Sequence, residues 1–236
     1  MLNDFIRIDD YPLGDPTYLK RAPKEFFLNL LFKAIEIFES KKTKYYLGVT
    51  PMLINESDIA RLNQEIKIGQ VVMHGFNHGW DFQPWSDITK IWPNGGEFSR
   101  YSSFSEMQKR YRYCDQIMRK INRYNPKVHI PPFNCYNQSF VDVFRENGGE
   151  LILSCDKEHN KYEHFNFDFK GVNVSLSNFE VSYCDVPVVI NNLKKIDLSK
   201  EHITLHWMYD TTQNQNWVND YKVLCDGFAR KINGAL

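Results

Sequence analysis

The chain has 236 residues, 42% hydrophobic and 25% charged, enough for one large α/β domain or two small ones with a sizeable core. Its 29 Lys plus Arg balance 29 Asp plus Glu, so nothing suggests a broad basic face for nucleic acid or anionic lipid. The start, MLNDFIRIDDYPLGD, has no basic region leading into an apolar run, and no stretch approaches the roughly 18 apolar residues of a membrane span; a cytoplasmic protein is expected.

FIRI (5–8) is a short apolar run closed by Asp9 and Asp10. Residues 23–40 have the spacing of an amphipathic helix, with Pro23 suited to its first turn. KYYLGVT (44–50) reads as a strand stopped by Pro51, 56–66 as a helix, and QVVMH (70–74) as the next strand. A long polar stretch follows, holding Trp80, Trp85, Trp92 and the turn PNGG. A loop of that size is usually functional or disordered, and its tryptophans argue against disorder. The next helix spans 103–121, where Ser103 and Glu106 fit a capping box. Then come strand VHI (128–130), the segment PPFNCYN (131–137), helix 139–148 and strand ELILSC (150–155). The tail adds the apolar runs GVNVSL (171–176), DVPVVI (185–190) and EHITLHW (201–207), then a last helix at about 216–232. Roughly seven βα-like units without a linker predict a single domain over 1–236, built as a closed or nearly closed barrel. A doubly wound open sheet is the main rival.

The polar residues at the predicted strand ends are unusual as a set. Asp9 and Asp10 follow the first strand, His74 ends QVVMH with His78 just beyond, Asn134 follows the VHI strand, and His206 and Trp207 end the ITLH strand. In parallel α/β folds that end of the sheet is the active face. One carboxylate with two histidines is a familiar set for a divalent ion with open positions, leaving a second carboxylate as base and a third histidine as acid. Zinc is the default from the ligand types, with cobalt, nickel, manganese and iron open. The five cysteines are odd in number and widely spaced, so they form neither a CxxC site nor a disulfide framework.

In order along the chain, IRIDDYP, HGFNH, IPPFN and TLHW resemble the motifs of the NodB-like polysaccharide deacetylases, carbohydrate esterases that remove N-acetyl groups from glycans. The resemblance runs from residue 6 to residue 207 and implies a distorted, about seven-stranded β/α barrel. It implies Asp9 as catalytic base, Asp10, His74 and His78 as metal ligands, and His206 as general acid. It also implies that Pro132, Phe133 and Asn134 line the substrate groove, with Trp207 beside the acid and a backbone N–H near 133–135 on the oxyanion. The family's third motif opens with an arginine that orients the catalytic aspartate. VHIPPFN has none, and neither Arg7 nor His129 is assigned that role. The family's Asp-x-x-Trp segment has no assigned counterpart either. The branch it is most like serves bacterial polysaccharide or O-antigen biosynthesis. The expected partner is a carbohydrate or glycan substrate; the oligomeric state is not determined by the sequence.

Other readings stand beside this one: hydrolysis of another amide or an ester, an inactive carbohydrate-binding homologue, or a structural zinc site. Trp85 and Trp92 suit sugar platforms or loop packing, Glu97 and Arg100 the groove or a surface ion pair, and His159 and His164 a ligand contact or plain exposure. Asp210 suits either a hydrogen bond to His206 or a turn cap.

Overall fold

The computed structural model describes residues 6–12, 22–78, 98, 103–156 and 168–235. Strands β1 (Ile6–Tyr11), β2 (Tyr45–Val49), β3 (Gln70–His74), β4 (Tyr124–Ile130), β5 (Leu151–Cys155), β6 (Asn173–Ser177) and β7 (Ile203–Leu205) form one sheet in the order β6-β5-β4-β3-β2-β1-β7. All its pairings are parallel. Helices α1 (Lys24–Ser40), α2 (Glu56–Glu65), α3 (Phe104–Met118), α4 (Gln138–Glu146), α5 (Val186–Asn192), α6 (Trp207–Gln213) and α7 (Trp217–Ile232) surround it. The expected seven-stranded barrel is the observed fold.

Local chemistry sets the helix starts. Asn55 accepts from the N–H groups of Ser57 and Asp58 while the Asp58 carboxylate accepts from Asn55 N–H, a complete capping box for α2. Ser103 caps α3 through the N–H of Glu106, but the Glu106 carboxylate turns to Arg110 instead of closing the box. Helix α1 buries Phe27, Leu28, Leu31, Ile35 and Phe38, an apolar stripe at helical spacing, and Pro23 stands immediately before it. DVPVVI differs from its neighbours in the tail: it is helix α5, with Pro187 near its start, where a missing N–H leaves no bond unmade.

Side chains alternate across each strand. On one face Tyr46, Val72, Val128, Ile130, Leu151 and Leu153 of β2 to β5 form the barrel's apolar interior. On the other, Leu47, Val71, Met73 and Ile152 join the larger core beneath the helices. The interior is polar along β1, β6 and β7, where Arg7, Asp9, Ser175, Ser177, His202 and Thr204 are all buried. Arg7 of β1 donates to the Leu153 carbonyl of β5 at 3.1 Å, so the sheet curls until its far parts meet across the interior.

The edges β6 and β7 share no ladder. Side chains close the seam between them. Ser175 Oγ lies 2.9 Å from His202 Nδ1, while Ser177 Oγ donates to the His202 carbonyl at 2.9 Å and meets Thr204 Oγ1 at 2.7 Å. A backbone bridge between Tyr183 and Thr204 completes it, the Thr204 N–H donating to the Ser182 carbonyl at 2.8 Å. Among the described residues no helix is long and apolar enough to cross a membrane.

Candidate functional site

Strand order assembles the site. β1 lies between β2 and β7, and β3 lies beyond β2, so their carboxyl ends form one cluster. The register pairs Ile8 with Leu205, which sets Asp9 beside His206 on the inner face. Asp10 follows at the strand end with φ 68°, a left-handed conformation that lets consecutive aspartates serve different partners. The same conformation occurs at His78 (61°), Phe133 (55°) and Asn134 (57°), and at Gly75 (67°) in the turn between the two histidines.

Asp10, His74 and His78 meet as the sequence leads one to expect. Asp10 Oδ1 is 3.1 Å from His74 Nε2 and 2.9 Å from His78 Nε2. Each residue offers a ligand atom within 4.8 Å of the others. His74 Nδ1 stands 3.0 Å from the Ile130 carbonyl, which can only accept, so this nitrogen carries the proton. In a neutral imidazole the Nε2 lone pair then faces a carboxylate oxygen. Two acceptors pointed at one another are relieved by a cation between them, and the donor set fits one divalent ion. Burial alone would raise the Asp10 carboxyl; were the two Nε2 atoms to carry protons instead, their hydrogen bonds would hold it well below the usual carboxylate range.

Space beside His74 comes from Gly48 of β2. A Cβ there would lie 3.2 Å from His74 Cβ and 3.3 Å from Ile130 Cδ1. Nothing in the sequence singles this glycine out, because its neighbour belongs to another strand.

Asp9 is held by Arg7. Arg7 Nε donates to Asp9 Oδ1 at 2.7 Å and Nη2 to Oδ2 at 2.5 Å, a fork-on-carboxylate pair with Arg7 only 1% exposed. Burial works against the Arg7 charge, and Asp9 more than offsets it. The guanidinium that grips Asp9 thus comes from β1, two residues before it. Arg7 Nη1 also donates to Asn134 Oδ1 at 2.8 Å, across 127 positions of sequence.

The remaining expected residues have distinct places. Phe133 packs its ring 4.5 Å from that of His78. Pro132 is buried, and Asn134 is 2% exposed with its amide turned to Arg7 and Tyr183 rather than outward. The N–H groups of Asn134 and Cys135 donate to the carbonyls of Pro131 and Pro132, so neither is available to an oxyanion. Trp207 is 1% exposed, and its indole N–H donates to the Asp9 carbonyl at 2.9 Å. Asp210 does not hold His206; it accepts from Val186 N–H and Tyr221 OH. Burial lowers the His206 pKa, the Asp9 and Asp10 carboxylates oppose that, and Arg7 adds to it. His129 has no site role: it is fully buried against Phe140 and Phe98, and burial keeps its ring neutral. A cleft of about 320 Å³ joins Asp10 to His206, with Trp207, Asp185 and Tyr209 on its walls. Trp80, Trp85, Trp92, Glu97, Arg100, His159 and His164 lie outside the described residues.

Compared with sequence models of protein families and with curated protein sequences, the chain matches none. Solved structures do match in fold. A family 4 carbohydrate esterase from Streptomyces lividans, in complex with acetate, superposes with a TM-score of 0.58 at 9% identity, covering 98% of this chain and 89% of that one. A 4-alpha-glucanotransferase from Thermococcus litoralis gives 0.55 at 14% identity, over 96% of this chain and 37% of that one. A CE4 family pseudoenzyme from Bacillus anthracis gives 0.52 at 12% identity, over 98% and 61%. An esterase, a transferase and a pseudoenzyme share the barrel, so the chemistry has to be argued from the side chains.

Proposed function

We propose that this protein is a divalent-metal-dependent deacetylase that hydrolyses the N-acyl amide of a sugar or glycan. The observation that carries the reading is the company Asp10, His74 and His78 keep. A second carboxylate, Asp9, is gripped by a buried arginine, and His206 stands beside it across a strand pairing. A structural metal site needs neither. Asp10, His74 and His78 would hold the ion, which when bound supplies Lewis acidity toward an amide carbonyl and an acidified water.

The chain's own groups do the rest. Arg7 fixes the Asp9 carboxylate beside His206, and there Asp9 takes the proton of the attacking water. His206, protonated, gives its proton to the departing sugar nitrogen; without it the amine would leave as a strongly basic anion. The cleft between Asp10 and His206 accepts the acyl group. The fold shared with a carbohydrate esterase that binds acetate agrees with an acetyl group. Zinc as the ion, a cytoplasmic setting and a place in bacterial polysaccharide or O-antigen biosynthesis are the finer parts of the same proposal. Five free cysteines, four of them buried, suit a reducing compartment.

The test is acetate release from N-acetylated oligosaccharides by the zinc-loaded protein, beside Asp9→Asn and His206→Ala. Each substitution should cost about 10² to 10⁴-fold in kcat with the metal retained, the usual share of a general acid or base. Full activity in both variants sinks the assignment. Glycan binding without turnover in the wild type would instead make the protein a binding homologue.

A further inference from the structure

His206 makes no side-chain hydrogen bond among the described residues, so packing must set its ring. The packing partner is Tyr183, whose ring centroid lies 4.6 Å away at an interplanar angle of 75°. Tyr183 is fixed at both ends. Its N–H donates to the Asn178 carbonyl at 2.8 Å, and its backbone bridges Thr204, two residues before His206. Its hydroxyl accepts from Asn134 Nδ2 at 3.3 Å, and the Arg7 guanidinium carbon lies 6.0 Å from its ring centroid. Asn134 takes Arg7 on its other side at 2.8 Å, and Arg7 holds Asp9. A path of contacts therefore runs from Asp9 through Arg7 and Asn134, all buried, to the half-buried Tyr183 and His206.

We propose that Tyr183, held by Asn134 and by the bridge to Thr204 in one framework, is the positioning residue of His206. The function of the framework is geometric: it moves no proton and touches no substrate. It matters because a misplacement of about 1 Å at a reacting group can cost on the order of 10²-fold in rate.

This rests on the role given to His206 above, and two readouts separate the two ideas. The first is kinetic. An amide needs the acid, whereas 4-nitrophenyl acetate, with its good leaving group, does not. Tyr183→Leu should lower kcat on an N-acetylated oligosaccharide by about 10 to 100-fold and leave the aryl ester rate and the metal content unchanged. Tyr183→Phe keeps the ring but loses Asn134, and should lose about 2 to 5-fold on the amide alone. Equal losses on both substrates would mark Tyr183 as merely structural and overturn the proposal. The second readout is the NMR signal of the His206 ring in the zinc-loaded protein, assigned with His206→Gln. It should shift and broaden in Tyr183→Leu and shift less in Tyr183→Phe. An unchanged signal in both overturns the proposal whatever the turnover. If the wild type hydrolyses neither substrate, the deacetylase reading falls and the NMR result alone decides Tyr183. If Tyr183→Leu does not fold, Tyr183→Phe decides by the same two measurements.

Discussion

Arg7 and Asp9 are two positions apart on β1, so both side chains leave the strand on its inner face. A charge pair in a barrel interior is costly to bury and costlier to break, because the survivor keeps its charge without a partner. Arg7→Ala should therefore destabilise the protein by about 3 to 5 kcal/mol, read by urea unfolding. Arg7→Lys should fold better yet still lose most of kcat, since one ammonium cannot reproduce the fork. An Arg7→Lys enzyme of wild-type activity would contradict the clamp. Gly48 gives a second prediction at this scale. Gly48→Ala crowds His74 at 3.2 Å without touching a ligand atom, and should weaken metal affinity by about 10-fold or more in a metal titration while the fold survives. The cluster of Asp10, His74 and His78 was legible in the sequence, because a carboxylate and two imidazoles at strand ends suggest metal chemistry by residue type. Arg7 was not, because its tie to Asn134 spans 127 residues and exists only once the sheet has curled.

Helices α5, α6 and α7 meet at one carboxyl group. Asp185 at the start of α5 makes no side-chain cap; the first N–H of the helix, that of Val186, donates to Asp210 of α6 at 3.3 Å. Tyr221 of α7 donates its hydroxyl to the other Asp210 oxygen at 3.1 Å. Burial outweighs both bonds and pushes the Asp210 carboxyl up to about 7. A folded pKa above the unfolded 3.8 means that the folded state holds the proton more tightly, so this group's contribution to stability falls as pH rises from about 4 to 7. The loss is of the order of 4 kcal/mol at most, taking about 1.4 kcal/mol per pH unit. Asp210→Asn should be free of it, and the gap in unfolding free energy between variant and wild type should move in the variant's favour from pH 5 to pH 8. A gap that stays constant would show that Asp210 titrates normally. Elements with a clear apolar period, such as α1, were readable beforehand. DVPVVI was not: its β-branched residues resemble those of a strand, and only the distant Asp210 supplies the partner that lets a helix begin there.

The barrel is closed by two kinds of bond, backbone ladders through six pairings and side chains across the β6–β7 seam. The seam runs down from His206 and Tyr183, whereas Asp10 near the end of β1, His74 at the end of β3 and His78 just after it belong to neither seam strand. Opening should begin where backbone pairing is thinnest. In a urea titration of the zinc-loaded protein, turnover should therefore be lost before the metal is released. Ser177→Ala, which removes two hydrogen bonds worth about 1 kcal/mol each, should widen that interval and speed amide exchange in 173–177. Simultaneous loss of activity and metal would show a barrel that opens everywhere at once. The count of βα units pointed to a barrel, but the manner of closure could not be read from it. Ser175, Ser177 and Thr204 look like ordinary polar strand residues until the two edges face each other.

Asp10, His78, Phe133 and Asn134 carry left-handed backbones without being glycines, each at a cost on the order of 1 kcal/mol or more. For an engineer this sets two goals against one another. A library selected only for heat resistance would drift toward glycine at these positions, relaxing the chain and erasing the proposed ligands together with the Phe133 packing on His78 and the Asn134 bond to Arg7. Thermostable versions of this protein should be sought in its helices and surface, with the carboxyl ends of β1, β3 and β4 left alone.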